Sequence, residues 1–134
     1  MDGTVSQLRV VVTAADYEAA LRFYRDALGL PELGAFTSDG GRVTILGAGQ
    51  ATLEIADAAH AAYVDDVEVG RRVAGHIRIC FQVPDARAAT ERLVLAGASL
   101  IAPPTETPWR SLNARLAGAA ELQLTLFEEL EPEF

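Results

Sequence analysis

The chain contains no lysine; every one of its 11 basic residues is an arginine. Schiff-base catalysis and a lysine general base are thereby excluded. Cysteine is almost as scarce: Cys80 stands alone, so no intrachain disulfide forms, and no CxxC or Cys/His cluster offers a structural zinc site. Basic charge is also short, 11 residues against 19 acidic ones, which leaves a net charge of −8 and a pI near 4.6. A field of that sign repels a nucleic-acid backbone or an anionic membrane surface, and neither is expected as a partner. A small ligand stays open, because a local pocket can carry the opposite sign. No apolar run approaches the roughly twenty residues of a membrane span. Residues 1–15 lack the basic start and apolar core of a signal peptide. A soluble, cytoplasmic protein is the expectation.

What is present is a duplication. The run Leu8-Arg9-Val10-Val11-Val12-Thr13 leads into Asp16 and an amphipathic stretch closed by Gly29. Farther on, Ile77-Arg78-Ile79-Cys80-Phe81-Gln82-Val83 leads into Asp85 and a stretch closed by Gly97. Asp16 and Asp85 lie 69 residues apart, as do Arg9 and Arg78. A period this long in 134 residues means two modules sharing a core rather than a solenoid. Half of the residues are hydrophobic, enough for one compact domain over 1–134.

Alternation in 8–13 predicts a strand with two unlike faces. Asp16 is a good N-cap, Tyr17, Ala20, Leu21, Tyr24 and Leu28 recur at helical spacing, and Gly29 supplies a stop, so one helix is expected over 16–28. Strands follow near 32–37, 42–47 and 51–56, separated by Asp39-Gly40-Gly41 and Gly47-Ala48-Gly49. The second module repeats the order: strand 76–83, helix 85–96, then strands near 98–102, 111–117 and 121–128. The fold class is α+β, two βαβββ modules at about 7–56 and 76–128, with a linker at 57–75 and a tail at 129–134. The linker reads as a helical turn over 58–64, then a solvated acidic stretch of Asp65, Asp66 and Glu68, with Arg71 and Arg72 offsetting the acids and His60 facing solvent.

The run Asp16 to Leu30, above all its Phe23-Tyr24 and Leu28-Gly29-Leu30, resembles the first-module signature of the vicinal oxygen chelate superfamily, which holds glyoxalase I, extradiol dioxygenases and the bleomycin and fosfomycin resistance proteins. With the paired βαβββ order and Phe81-Gln82-Val83-Pro84-Asp85, the likeness covers about residues 7–128. It implies paired half-barrels around a cleft, a homodimer, and, in metal-dependent members, a ligand on the first and last strand of each module. Here those positions fall on Arg9, Arg78, Glu54 and Thr125. Guanidinium has donors and no lone pair, so Arg9 and Arg78 cannot coordinate a divalent cation. The expectation is a cleft without the usual metal and without another cofactor. A register two residues off would place His76 at the first-strand position; as it stands His76 reads as a polar rim residue. The second module also lacks the family's Asp-Pro-x-Gly turn, showing Gly118-Ala119-Ala120-Glu121.

Other motifs are weaker. Gly47-Ala48-Gly49 lacks the third glycine and the following helix of a dinucleotide fingerprint, and is read as a turn. Cys80 shares a face with Arg78 and Gln82, and with no histidine base beside it is read as buried and inert. Trp109, in the loop after Pro108, is a candidate binding anchor. On the last strand Glu121, Gln123, Thr125 and Phe127 share the face expected to line the cleft, opposite Leu122, Leu124 and Leu126. The expected site is thus Arg9, Glu54, Arg78, Gln82, Trp109, Gln123 and Thr125. Glu54 is the candidate catalytic base, and no metal ligand set is assigned. Two arginines facing one carboxylate give a local charge near +1, suited to an anionic small molecule. The expected function is small-molecule binding without metal; the alternative is a lyase, isomerase or dioxygenase of the same fold, metal-dependent or using Glu54.

Overall fold

The computed structural model describes residues 5–119 and 122–131. Eight strands form one sheet: β1 (Gln7–Thr13), β2 (Glu32–Ser38), β3 (Gly41–Ala48), β4 (Ala51–Ala56), β5 (Ile77–Gln82), β6 (Ser99–Glu106), β7 (Ser111–Ala117) and β8 (Gln123–Glu129). Their order is β2-β3-β4-β1-β5-β8-β7-β6, so each module contributes four neighbouring strands. The first strand of each module runs parallel to the last of its own module, and β1 and β5 join the halves antiparallel, with Arg9 opposite Cys80 and Val11 opposite Arg78.

The sheet is open, with β2 and β6 as its edges. Pro103 and Pro104 lie within β6, where the register against β7 shifts twice. An edge position tolerates a residue that cannot donate to the ladder, so the strand runs to Glu106 rather than stopping near 102. β8 likewise starts at Gln123 and extends to Glu129, into the expected tail; Glu121 lies outside the described residues.

Helices α1 (Tyr17–Leu21) and α3 (Ala86–Leu95) pack on the outer face. Asp16 and Asp85 cap them as expected, accepting from the amides of Ala19 at 2.9 Å and Ala88 at 3.1 Å. Tyr17 and Leu21 pack on Leu46 and Ile55; Ala86 and Ala89 pack on Ala114, Leu116 and Leu126. The single helix expected over 16–28 is instead a short α-helix followed by π-helical turns over Arg22–Ala27, with the Leu28 amide donating to the Phe23 carbonyl at 2.9 Å. The extra residue per turn rotates Leu28 off the core face, and it is exposed while Tyr24 still packs on the α1 cluster.

The linker differs most from its sequence reading. Helix α2 runs over Ala58–Glu68. It packs on β3 so closely that a Cβ on Gly41 would stand 2.2 Å from the backbone nitrogen of His60, and only glycine fits there. Asp66 is exposed as expected, but Asp65 and Glu68 are buried, turned toward β7 instead of solvent. Among the described residues no helix is long and apolar enough to cross a membrane.

Candidate functional site

The strands alternate between a helix-covered face and an inner face that carries Arg9 and Val11, Glu54, Arg78 and Cys80, Thr125 and Phe127. Residues of β2 and of the β6–β7 turn, from opposite ends of the strand order, line one cavity of about 450 Å³ with them, so the sheet must curl around it. Helix α2 supplies a further wall through His60, Tyr63, Val64 and Glu68. Of the residues expected from sequence, Arg9, Glu54, Arg78, Trp109 and Thr125 line this cavity. Gln82 and Gln123 are not among its lining.

Arg78 sits near the join of the modules, in a cross-strand row with Val11 and Glu54. Its Nη1 donates to Thr125 Oγ1 at 2.8 Å and to Cys80 Sγ at 2.9 Å. Among the described residues no carboxylate lies within ion-pair distance of it, and Nε and Nη2 have no protein partner. Burial pushes the guanidinium down, but the Cys80 sulfur and then the Glu68, Glu54 and Asp65 carboxylates outweigh it and the pKa is raised, so Arg78 stays a cation. Burial pushes the Cys80 thiol up to about 11, which keeps it neutral and fits the inert reading.

Arg9 is differently placed. Its Nη2 donates to Glu129 Oε1 at 3.0 Å and Nε to Gln7 Oε1 at 2.7 Å, with Glu54 Oε2 at 3.7 Å. Its guanidinium also lies 4.3 Å from the centroid of Phe127. The two arginines are therefore not equivalent. The lining as a whole carries Arg9, Arg78 and Arg110 against Glu54, Glu68 and Glu131. The local charge of +1 expected from sequence is offset by Glu68 and Glu129, which come from segments read there as solvated linker and tail.

Sequence reasoning missed a buried ionic cluster behind this floor. Arg115, on β7, is fully buried. It donates to Asp65 Oδ1 at 2.8 Å, Glu68 Oε1 at 3.0 Å and Gln123 Oε1 at 2.5 Å. Glu68 also accepts from Asn113 Nδ2 at 2.9 Å and Thr125 Oγ1 at 3.1 Å. Thr125 thus donates to Glu68 and accepts from Arg78, so the cluster orients the guanidinium that faces the cavity. Gln123 is spent on Arg115 and on the carbonyl of Val73 at 2.9 Å, which is why it does not line the cleft. Burial pushes the Asp65 carboxyl up, but the amides of Ala74 and Val73 and the Arg115 guanidinium outweigh it and hold it below the usual carboxylate range. One signal was available: Ser111, Asn113 and Arg115 alternate along the predicted strand 111–117, a polar face in phase with Gln123 and Thr125.

The histidines also sort out. His76 is exposed, with its carbonyl accepting from Thr13, and the register holds Arg78 at the inward position. His60 lines the cavity rather than facing solvent, its Nδ1 3.4 Å from Ser38 Oγ, and burial lowers its pKa. Trp109 lies in the β6–β7 turn, its ring centroid 6.1 Å from that of Tyr63 on α2.

Metal-dependent proteins of the fold would place a divalent cation among Arg9, Glu54, Arg78 and Thr125. The donor set does not fit: two positions carry guanidinium groups, one a hydroxyl, and Glu54 alone offers a carboxylate. Among the described residues no group of three or more His, Cys, Asp or Glu side chains could hold a metal ion.

Comparison with known proteins gives a family and a fold. The profile of the Glyoxalase/Bleomycin resistance protein/Dioxygenase superfamily matches residues 6–124. No curated protein matches the chain. Among solved structures, the hypothetical protein BH1468 from Bacillus halodurans C-125 superposes with a TM-score of 0.68 at 16% identity, covering 96% of this chain and 95% of that one. Methylmalonyl-CoA epimerase from Mycobacterium tuberculosis gives a TM-score of 0.64 at 17% identity, over 97% of this chain and 89% of the other. A mutant 4-hydroxymandelate synthase from Streptomyces coelicolor gives a TM-score of 0.64 at 26% identity, with 96% of this chain matching 39% of that larger one.

Proposed function

The chain belongs to the Glyoxalase/Bleomycin resistance protein/Dioxygenase superfamily, and from that premise we propose that it binds a small anionic molecule in the inter-module cleft, with Arg78 in place of a metal. One observation carries this reading. The Nε–Nη2 edge of Arg78 has no protein partner among the described residues, while its Nη1 is fixed by Thr125 and Cys80. A guanidinium held on one side and open on the other presents two parallel donors to a carboxylate or phosphate oxygen pair, at charge-assisted strength. The cavity volume of about 450 Å³ suits a small organic molecule.

The test compares melting temperatures of wild type and Arg78→Met with millimolar small carboxylates or inorganic phosphate, and with neutral amides of the same shape. Oxyanions raise the wild-type melting temperature, amides do not, and Arg78→Met loses the response. A protein that no oxyanion stabilises, or an Arg78→Met variant that responds like wild type, refutes the reading.

A second reading, a lyase or isomerase with Glu54 as base, is favoured by the row that sets Glu54 and Arg78 on either side of Val11. A carboxylate there could take a proton from a ligand whose oxygen is held on Arg78. A homodimer is also part of the proposal, supported by the two uncovered edge strands and by Leu33 and Leu100 exposed on them. Sedimentation as a monomer of 14.3 kDa at micromolar concentration refutes that part alone.

A further inference from the structure

The cavity that Arg78 lines also has an aromatic lining. It uses the chain's one tryptophan, one of its three tyrosines and two of its five phenylalanines: Trp109, Tyr63, Phe36 and Phe127. They come from four separate elements, so no local pattern gathers them. Phe127 is buried, with its face under Arg9. Phe36, on edge strand β2, is exposed although it lines the cavity.

The backbone that carries Trp109 is held in place. Its turn is pinned at both ends, the Thr107 amide donating to the Ser111 carbonyl at 2.8 Å and the Ser111 amide to Thr107 Oγ1 at 3.1 Å. Ser111 Oγ donates to Asn113 Oδ1 at 2.6 Å, and Asn113 donates to Glu68. The turn that carries Trp109 and the helix that carries Tyr63 are thus tied to one buried network. The two rings stand 6.1 Å apart between centroids and are tilted at 48°, so they face the cavity as one pair. A pinned turn and a tethered helix present their rings to a planar guest with less backbone to order on binding, and aromatic pairs gain beyond what buried area alone gives.

We infer that the ligand is an aromatic carboxylic acid, its carboxylate on Arg78 and its ring against Trp109 and Tyr63. This rests on the anion site proposed above and adds the chemistry of the other end of the ligand. A saturated acid of equal charge would satisfy Arg78 equally and forfeit the ring contacts.

Calorimetric titration of wild type with benzoate and with cyclohexanecarboxylate separates the two ideas, because the acids share charge and ring size and differ in planarity. Benzoate is expected to bind about 10-fold tighter, the order of one aromatic contact. The ratio should fall toward one in Trp109→Leu and largely persist in Trp109→Phe, with Tyr63→Leu as an independent check should the Trp109 variants unfold. Equal affinity for the two acids in wild type overturns this inference and leaves the anion site standing. Binding of neither acid overturns both.

Discussion

Replacing Arg115 by alanine should be the most damaging single change in this protein. Wild-type Arg115 is 0% exposed and makes charged contacts of 2.8 Å to Asp65 and 3.0 Å to Glu68. Without it, two buried carboxylates face each other with reduced support. Asp65 keeps the amides of Val73 and Ala74, each at 2.9 Å, and Glu68 keeps Asn113 and Thr125. Those remaining donors place the cost at the lower end of what an orphaned buried charge brings, about 3–4 kcal/mol. For a domain of this size that is roughly a 10–15 °C fall in melting temperature. Urea unfolding followed by circular dichroism measures it, and Glu68→Gln in the Arg115→Ala background should recover part of the loss, since it removes one of the uncompensated charges. Glu68→Gln alone should destabilise, giving a favourable coupling in the double-mutant cycle. Because α2 reaches β7 through this cluster, limited proteolysis should cut the 58–75 segment faster in the variant. A loss below about 1 kcal/mol, the range of an exposed pair, would show that the cluster does not hold α2 to the second module.

Gly41→Ala should destabilise by about 2–3 kcal/mol or more, because a Cβ 2.2 Å from the His60 nitrogen forces α2 off the sheet; thermal melting checks it, and a near-neutral result would mean that α2 shifts at little cost. His60 titrates lower in the folded chain than at its ordinary 6.5, burial being the main cause, so the unfolded chain takes up the proton first. Stability from this group is complete above the unfolded value and declines as pH falls below it toward the folded pKa; His60→Asn should flatten the melting profile in that window, whereas loss through Asp65 sets in only as pH falls below 3.8 toward its lowered folded value. Arg110 holds a φ of +64° in the β6–β7 turn, so Arg110→Gly should be neutral or stabilise by up to about 1 kcal/mol, its ion pairs to Glu106 and Glu131 being exposed; a marked fall in melting temperature would show that those pairs outweigh the backbone strain.

Local rules were enough for much of this molecule. Helix caps at Asp16 and Asp85, glycine stops, alternating strands and the 69-residue spacing are properties of short segments, and they locate both modules and the strand that carries Arg78 without reference to anything distant. The likeness carried by residues 16–30 then gave the strand positions of Arg9, Glu54, Arg78 and Thr125, all of which line the cavity. What short segments cannot encode is which charge neutralises which. Asp65-Asp66-Val67-Glu68 has the composition of a solvated face whether or not a partner waits beneath it, and its partner, Arg115, lies some 50 positions away on a strand of the other module. Arg9 finds Glu129 across 120 positions, which distinguishes it from Arg78 although the duplication makes the two look alike. Pattern repeats because backbone geometry repeats. The identity of the arginine left open to the cavity was decided only when the strands closed around α2 and the long-range ion pairs were drawn.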